Sequence, residues 1–211
     1  MENYSIVFSS LTGNTKKLAE AIYEVLPKDK CDHFGETGSQ VPGSDLLYIG
    51  FWTDKGNADK KTLELLSKLK GKKIFLFGTA GLVQVRHILK KVLGQVRQAV
   101  APGNVVIGEY MCQGKMPQSV RERYIKMKEN PEHPANLDLL IKNFDCALSH
   151  PDTDDLEKTE EDHYEIKTVY QQLPVSRSQC IQRFDFTAEK NIKYNTIALL
   201  KIPSGKTEKP Q

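Results

Sequence analysis

The first 150 residues alternate two apolar rhythms, short unbroken runs and longer runs that repeat every three or four positions. Tyr4–Phe8, Cys31–Phe34, Asp45–Gly50, Lys73–Gly78 and Asn104–Glu109 are of the first kind and predict buried strands. Lys16–Leu26, Asp59–Leu69, Val83–Val100 and Asn136–Leu148 are of the second, with Leu18, Ile22, Leu63, Leu66 and Leu140 at helical spacing. Strands that are apolar on both faces, alternating with amphipathic helices, predict an α/β, doubly wound five-stranded parallel sheet with helices on both faces. Gly35–Ser44 reads as a loop, Pro102-Gly103 as a turn, and Gly71 as the stop of the second helix.

The rhythm then changes. Asp152–Glu165 is mostly acidic and predicts a solvated linker, after which residues 164–170, 180–186 and 194–202 are strand-like. The expected division is a domain over 1–150, an acidic linker over 151–163 and a small C-terminal β-rich extension over 164–211, with a charged terminus from Ser204 that reads as disordered. An extension of that length hardly sustains its own core, so docking on the domain or on a partner is its expected role.

Composition removes several classes of function. There is no apolar stretch of membrane-spanning length, and Met1 leads directly into a strand without a secretory pattern, so a soluble cytoplasmic protein is expected, with no membrane partner. Cys31, Cys112, Cys146 and Cys180 form no C-x-x-C pair, which speaks against a zinc ribbon, an iron–sulfur site or a disulfide framework. The net charge is only +3 and the basic residues are not interleaved with aromatics, so no nucleic-acid surface is expected.

Candidate chemistry concentrates where strands end. After the first strand comes Ser9-Ser10-Leu11-Thr12-Gly13-Asn14-Thr15, and then a helix. A helix start leaves amide N–H groups without partners at the positive end of a dipole, and Gly13 allows close backbone approach, so a turn rich in hydroxyls suits a terminal monophosphate. The loop lacks the glycines and lysine of a nucleoside triphosphate loop and the spacing of a dinucleotide loop. Helix capping by Thr12 or Asn14 is the competing reading. Ligands of such sheets sit outside the carboxyl ends of the strands. The segment Phe51-Trp52-Thr53 follows the third long strand and carries the only tryptophan, whose indole offers a flat face to an aromatic ring. Gly78-Thr79-Ala80-Gly81 reaches the same edge with side chains small enough for main-chain contacts, and Cys112-Gln113 leaves the last strand toward it. A redox role for Cys112 would need an exposed thiol of lowered pKa, and a packed cysteine is the default.

Val7 through Thr15 resembles the FMN phosphate loop of the flavodoxin family, which reads T/S-x-T-G-N-T; Ser10, Thr12, Gly13, Asn14 and Thr15 match it position by position. The resemblance runs more weakly through about residue 150 and implies FMN as cofactor, the flavodoxin-like fold, and a carrier of electrons between a reductase and a client redox enzyme. It implies phosphate binding by residues 9–15, an aromatic from Phe51 or Trp52, with Trp52 preferred, on one flavin face, and contacts from Thr53, Gly78–Gly81, Cys112 and Gln113. Where the family often places a tyrosine against the second face, Leu82 and Val83 stand here. The segments Gly50-Phe51-Trp52 and Cys112-Gln113-Gly114-Lys115 resemble a bacterial subgroup associated with bilirubin reductase, which is thereby an implied client. An NAD(P)H-dependent FMN quinone or azo reductase is the alternative enzyme, and a non-redox module for another phosphorylated ligand the third reading. No NAD(P)H fingerprint, triad or metal cluster is visible, which favours the carrier. Every residue assigned to the cofactor precedes Lys115, so the extension is expected to take no part in binding it.

Overall fold

The computed structural model describes residues 2–38, 40–82 and 86–159. The sheet has the order β2-β1-β3-β5-β6, built from β1 (Tyr4–Phe8), β2 (Cys31–Glu36), β3 (Leu46–Asp54), β5 (Lys73–Ala80) and β6 (Val105–Gln113), all parallel; the two-residue β4 (Asn57–Ala58) folds back antiparallel on β3. This is the doubly wound order in which the chain direction reverses beside β1, and a ligand is expected outside the carboxyl ends there. The expected α/β architecture is the one observed. The predicted strands at 164–170, 180–186 and 194–202 lie outside the described residues.

Side chains alternate between two cores. Val7, Ile49, Phe51, Leu76 and Met111 face the helices α2 (Lys60–Leu66) and α3 (Arg86–Gln98), while Ile6, Phe8, Tyr48, Phe75, Phe77 and Cys112 face α1 (Asn14–Val25). β1 is buried at every position, as a central strand covered on both sides must be. The helices α4 (Gln118–Lys128) and α5 (Leu137–Ala147) follow the last strand and pack on each other.

Three strands outrun their apolar runs. β3 continues through Trp52, paired with Thr79, and on to Asp54, paired with β4; β5 continues through Thr79 and Ala80 and β6 through Gln113, paired with each other to their ends. β3 then reverses at Lys55-Gly56, both at positive φ, so that the segment after Gly50 is a hairpin and not a loop. Within the stretch expected as a solvated linker, residues 153–159 are helical, Leu156 packs against the core on the α1 face and Thr159 is buried.

Candidate functional site

The loop after β1 is held open at its base. Ser9 N–H donates to the Gly50 carbonyl at 2.9 Å, and Gly13, at φ 82°, turns the chain into α1 with open space where a Cβ would stand. No side chain caps the helix. The first intrahelical bond runs from Lys17 N–H to the Gly13 carbonyl, and Lys16 N–H is taken by Ser10 Oγ at 3.2 Å. Among the described residues, the N–H groups of Gly13, Asn14 and Thr15 therefore have no acceptor, which leaves a positive, donor-lined start of a helix.

The side chains of the loop divide their work. Thr15 is fully buried; its hydroxyl lies 3.1 Å from that of Thr79 and donates to the Phe51 carbonyl at 3.3 Å, so it ties α1 to β3 and β5 beneath the loop. Asn14 is also buried, and its Nδ2 donates to Thr12 Oγ1 at 2.7 Å and to the Lys115 carbonyl at 2.8 Å, while Oδ1 has no partner among the described residues. Thr12 donates to the same Lys115 carbonyl at 3.3 Å. Leu11 is 61% exposed at the crest.

Around this loop the register fixes which residues share a face. Trp52, Thr79 and Cys112 form one row across β3, β5 and β6 on the α1 side; Phe51, Gly78 and Met111 form the preceding row on the other side. Trp52 is half-buried. Phe51 is fully buried and its ring lies over Gly78, where an added Cβ would come within 2.6 Å, so Gly78 has a packing reason to be glycine. Thr53 donates to the Thr79 carbonyl at 3.0 Å, which straightens β3 against β5 past the apolar run. Gly81 is closed by Met116 at the Cβ position, and its carbonyl accepts from Asn143 Nδ2 at 2.8 Å and Gln113 Nε2 at 3.3 Å. Cys112 is buried, and burial, aided by the nearby charge of Asp155, pushes its thiol well above the usual range. It is a packed cysteine, as the default reading expected.

Sequence reasoning assigned nothing to Gly114, Lys115, Asn143 or His150. Gly114 N–H donates to the Ala80 carbonyl at 3.0 Å, and Lys115 N–H to the His150 carbonyl at 3.1 Å. His150 Nδ1 stands 2.6 Å from Asp155 Oδ2, and Asp152 and Asp155 exchange backbone-to-carboxylate bonds at the start of the helical residues 153–159. That is a capping box, and its N–H donors hold the Asp152 carboxyl below the usual range. These carboxylates and the imidazole are within 4.8 Å of one another, but each already serves the cap or the ion pair. Asn143 left a signal in the sequence, a polar residue on the buried face of an apolar helix. His150 and Lys115 left none, because their contacts are made through the backbone.

A parallel sheet in this order, with a loop and helix after its first strand, defines an α/β domain of the doubly wound class. The profile described as a flavodoxin domain matches residues 5–162, and the chain belongs to the flavodoxin family, whose domains bind flavin and transfer electrons. The chain is 38% identical over 185 residues to the flavodoxin-like domain-containing protein BilS of Clostridium symbiosum (strain WAL-14163), covering 79% of this chain and 95% of that protein. It is 28% identical over 155 residues to the BilS protein of Clostridioides difficile (strain CD3), covering 72% and 88%. Among solved structures it is similar to oxidised flavodoxin 1 from Bacillus cereus, with 15% identity, TM-score 0.46 and coverage of 82% of this chain and 100% of that one. No helix among the described residues is long and apolar enough to cross a membrane.

Proposed function

We propose that the protein binds FMN at the carboxyl edge of the sheet and carries electrons between a reductase and a client redox enzyme. The observation that carries this reading is the start of α1, where the N–H groups of Gly13, Asn14 and Thr15 have no acceptor among the described residues and the hydroxyls of Ser10 and Thr12 belong to the same loop. Donors of that kind with no lysine inside the turn suit a monophosphate, and the open space at Gly13 admits one.

Bound FMN supplies the redox chemistry. The chain's own residues bind and orient it. Ser9 to Thr15 hold the phosphate, with Ser10, Thr12 and the amides in contact and Asn14 and Thr15 bracing the loop from below. Trp52 and Thr53 bound the ring on the β3 side, and Phe51 and Gly78 support them from the opposite face of the sheet. Thr79, Ala80 and Gly81 form the β5 rim, and Cys112 and Gln113 close the β6 side. With Cys112 protonated and buried, no side chain among these is placed to exchange electrons itself. A bilirubin-reducing enzyme is the client that the resemblance of Gly50–Trp52 and Cys112–Lys115 puts first.

A visible spectrum and a reductive titration of the purified protein test cofactor and role together. An oxidised flavin spectrum, bleached by NAD(P)H only when a separate reductase is added, is the expected result. Steady NAD(P)H oxidation by the protein alone with a quinone would favour the reductase reading, and a colourless protein that takes up no FMN would refute the cofactor.

A further inference from the structure

We propose that Lys115 is the charge partner of the bound phosphate, an inference that rests on the FMN reading above. Lys115 is fixed to the phosphate loop by its own backbone. Its carbonyl accepts from Asn14 Nδ2 at 2.8 Å and from Thr12 Oγ1 at 3.3 Å, across about a hundred residues of sequence, and its N–H donates to the His150 carbonyl at 3.1 Å. The preceding residue admits no side chain, since a Cβ on Gly114 would lie 2.6 Å from Asn14 Nδ2. The first side chain after β6 is therefore that of Lys115, on the residue whose carbonyl the loop holds.

That side chain is exposed and makes no ion pair among the described residues. Other cations stand close by. Lys16, on the first turn of α1, is 3.7 Å from Glu20 and so already paired, and Lys17 is exposed on the same turn. Of the three, only Lys115 has its carbonyl held by the side chains of Thr12 and Asn14 in the loop. An ammonium on a flexible four-carbon stem is a compact charge that settles on a dianion without demanding bidentate geometry. The loop itself offers only neutral donors, so a facing cation adds a long-range attraction that salt weakens.

The test uses the full chain, with Lys115→Gln, Lys115→Arg and Lys17→Gln. FMN and riboflavin are titrated at about 0.01 M and about 1 M ionic strength, where the screening length falls from about 30 Å to about 3 Å. Lys115→Gln should bind FMN about tenfold more weakly at low salt and lose most of the salt dependence. Riboflavin affinity should not change, Lys115→Arg should restore FMN, and Lys17→Gln should change little. As a readout without flavin, inorganic phosphate should raise the melting temperature of the flavin-free wild type more than that of Lys115→Gln. FMN binding by Lys115→Gln equal to wild type, equal losses for FMN and riboflavin, or a phosphate-dependent loss carried by Lys17→Gln would each overturn the assignment while leaving the FMN reading intact. A wild type that binds neither flavin would overturn both.

Discussion

At the scale of single residues, the loop contains two kinds of hydroxyl and amide groups, those free to meet a ligand and those already committed. Thr12 belongs partly to both, because its Oγ1 accepts from Asn14 and donates to Lys115 while the residue stays half-exposed. Thr12→Val should thus weaken FMN by about 1.5–3 kcal/mol, the worth of a hydrogen bond to a charged group, and leave riboflavin nearly unchanged. Asn14→Leu should also weaken FMN, by loosening the loop, and lower stability, since it leaves the Lys115 carbonyl with only the longer bond from Thr12; equal effects on FMN and riboflavin in paired titrations would remove the phosphate from this loop. Cys112 makes the opposite case, a group with chemistry that its surroundings suppress. Its pKa is raised in the folded state, so the stability tied to the protonated thiol is complete below the unfolded value of about 8.5 and falls as pH rises beyond it. Chemical denaturation at about pH 7.5 and about pH 9.5 should show a smaller loss for Cys112→Ala than for wild type, and in the native protein a thiol reagent should label the exposed Cys146 before the buried Cys112.

At the scale of elements, the ends of β3, β5 and β6 decide where the site sits. The apolar runs made the strands legible in the sequence, because a strand buried on both faces has no polar position until it leaves the core. Their ends were not legible. Trp52, Thr53, Thr79 and Gln113 look like loop residues, but the ladder continues through them because Trp52 pairs with Thr79 and Thr79 with Cys112, and Thr53 adds a side-chain bond to the Thr79 carbonyl. The turn between β1 and α1 was legible because local chain geometry makes it, whereas the clamp on Lys115 joins residues about a hundred positions apart through main-chain atoms that no residue type announces. Glycine meanings also differed from their look. Gly78 reads as a place for close ligand approach, but the ring of Phe51 occupies its Cβ position. Gly78→Ala should consequently destabilise the fold by about 1–3 kcal/mol through overpacking, and Phe51→Leu should recover part of that loss in a double-mutant cycle. Additive losses in denaturant midpoints would mean that the ring and the glycine are not in contact.

At the scale of the whole molecule, the question is where the flavodoxin domain ends. Composition placed the boundary near residue 150, since Asp152 onward is acidic and polar. Contacts tie the residues just beyond it to the domain. The Lys115 N–H depends on the His150 carbonyl, the hydroxyl of Tyr110 in β6 donates to the Asp155 carbonyl at 2.7 Å, and Leu156 and Thr159 are drawn toward the core, Thr159 with no exposed surface. Two of the acidic residues that suggest a solvated linker, Asp152 and Asp155, serve the hydrogen bond to His150 and the cap of the helical residues 153–159. A chain ending at Ser149 should accordingly lose about 2–5 kcal/mol of stability, from the hydrogen bonds and the Leu156 packing together. It should also bind FMN more weakly than riboflavin loss alone explains, because the released Lys115 carbonyl no longer holds Thr12 and Asn14. A chain ending at Asp162, where the family profile stops, should keep both. Denaturant midpoints and paired FMN and riboflavin affinities for the two shortened chains and the full one decide the matter; a chain ending at Ser149 with wild-type midpoint and FMN affinity would show that residues 150–159 are passengers of the domain, and the coupling through Lys115 would fall with it.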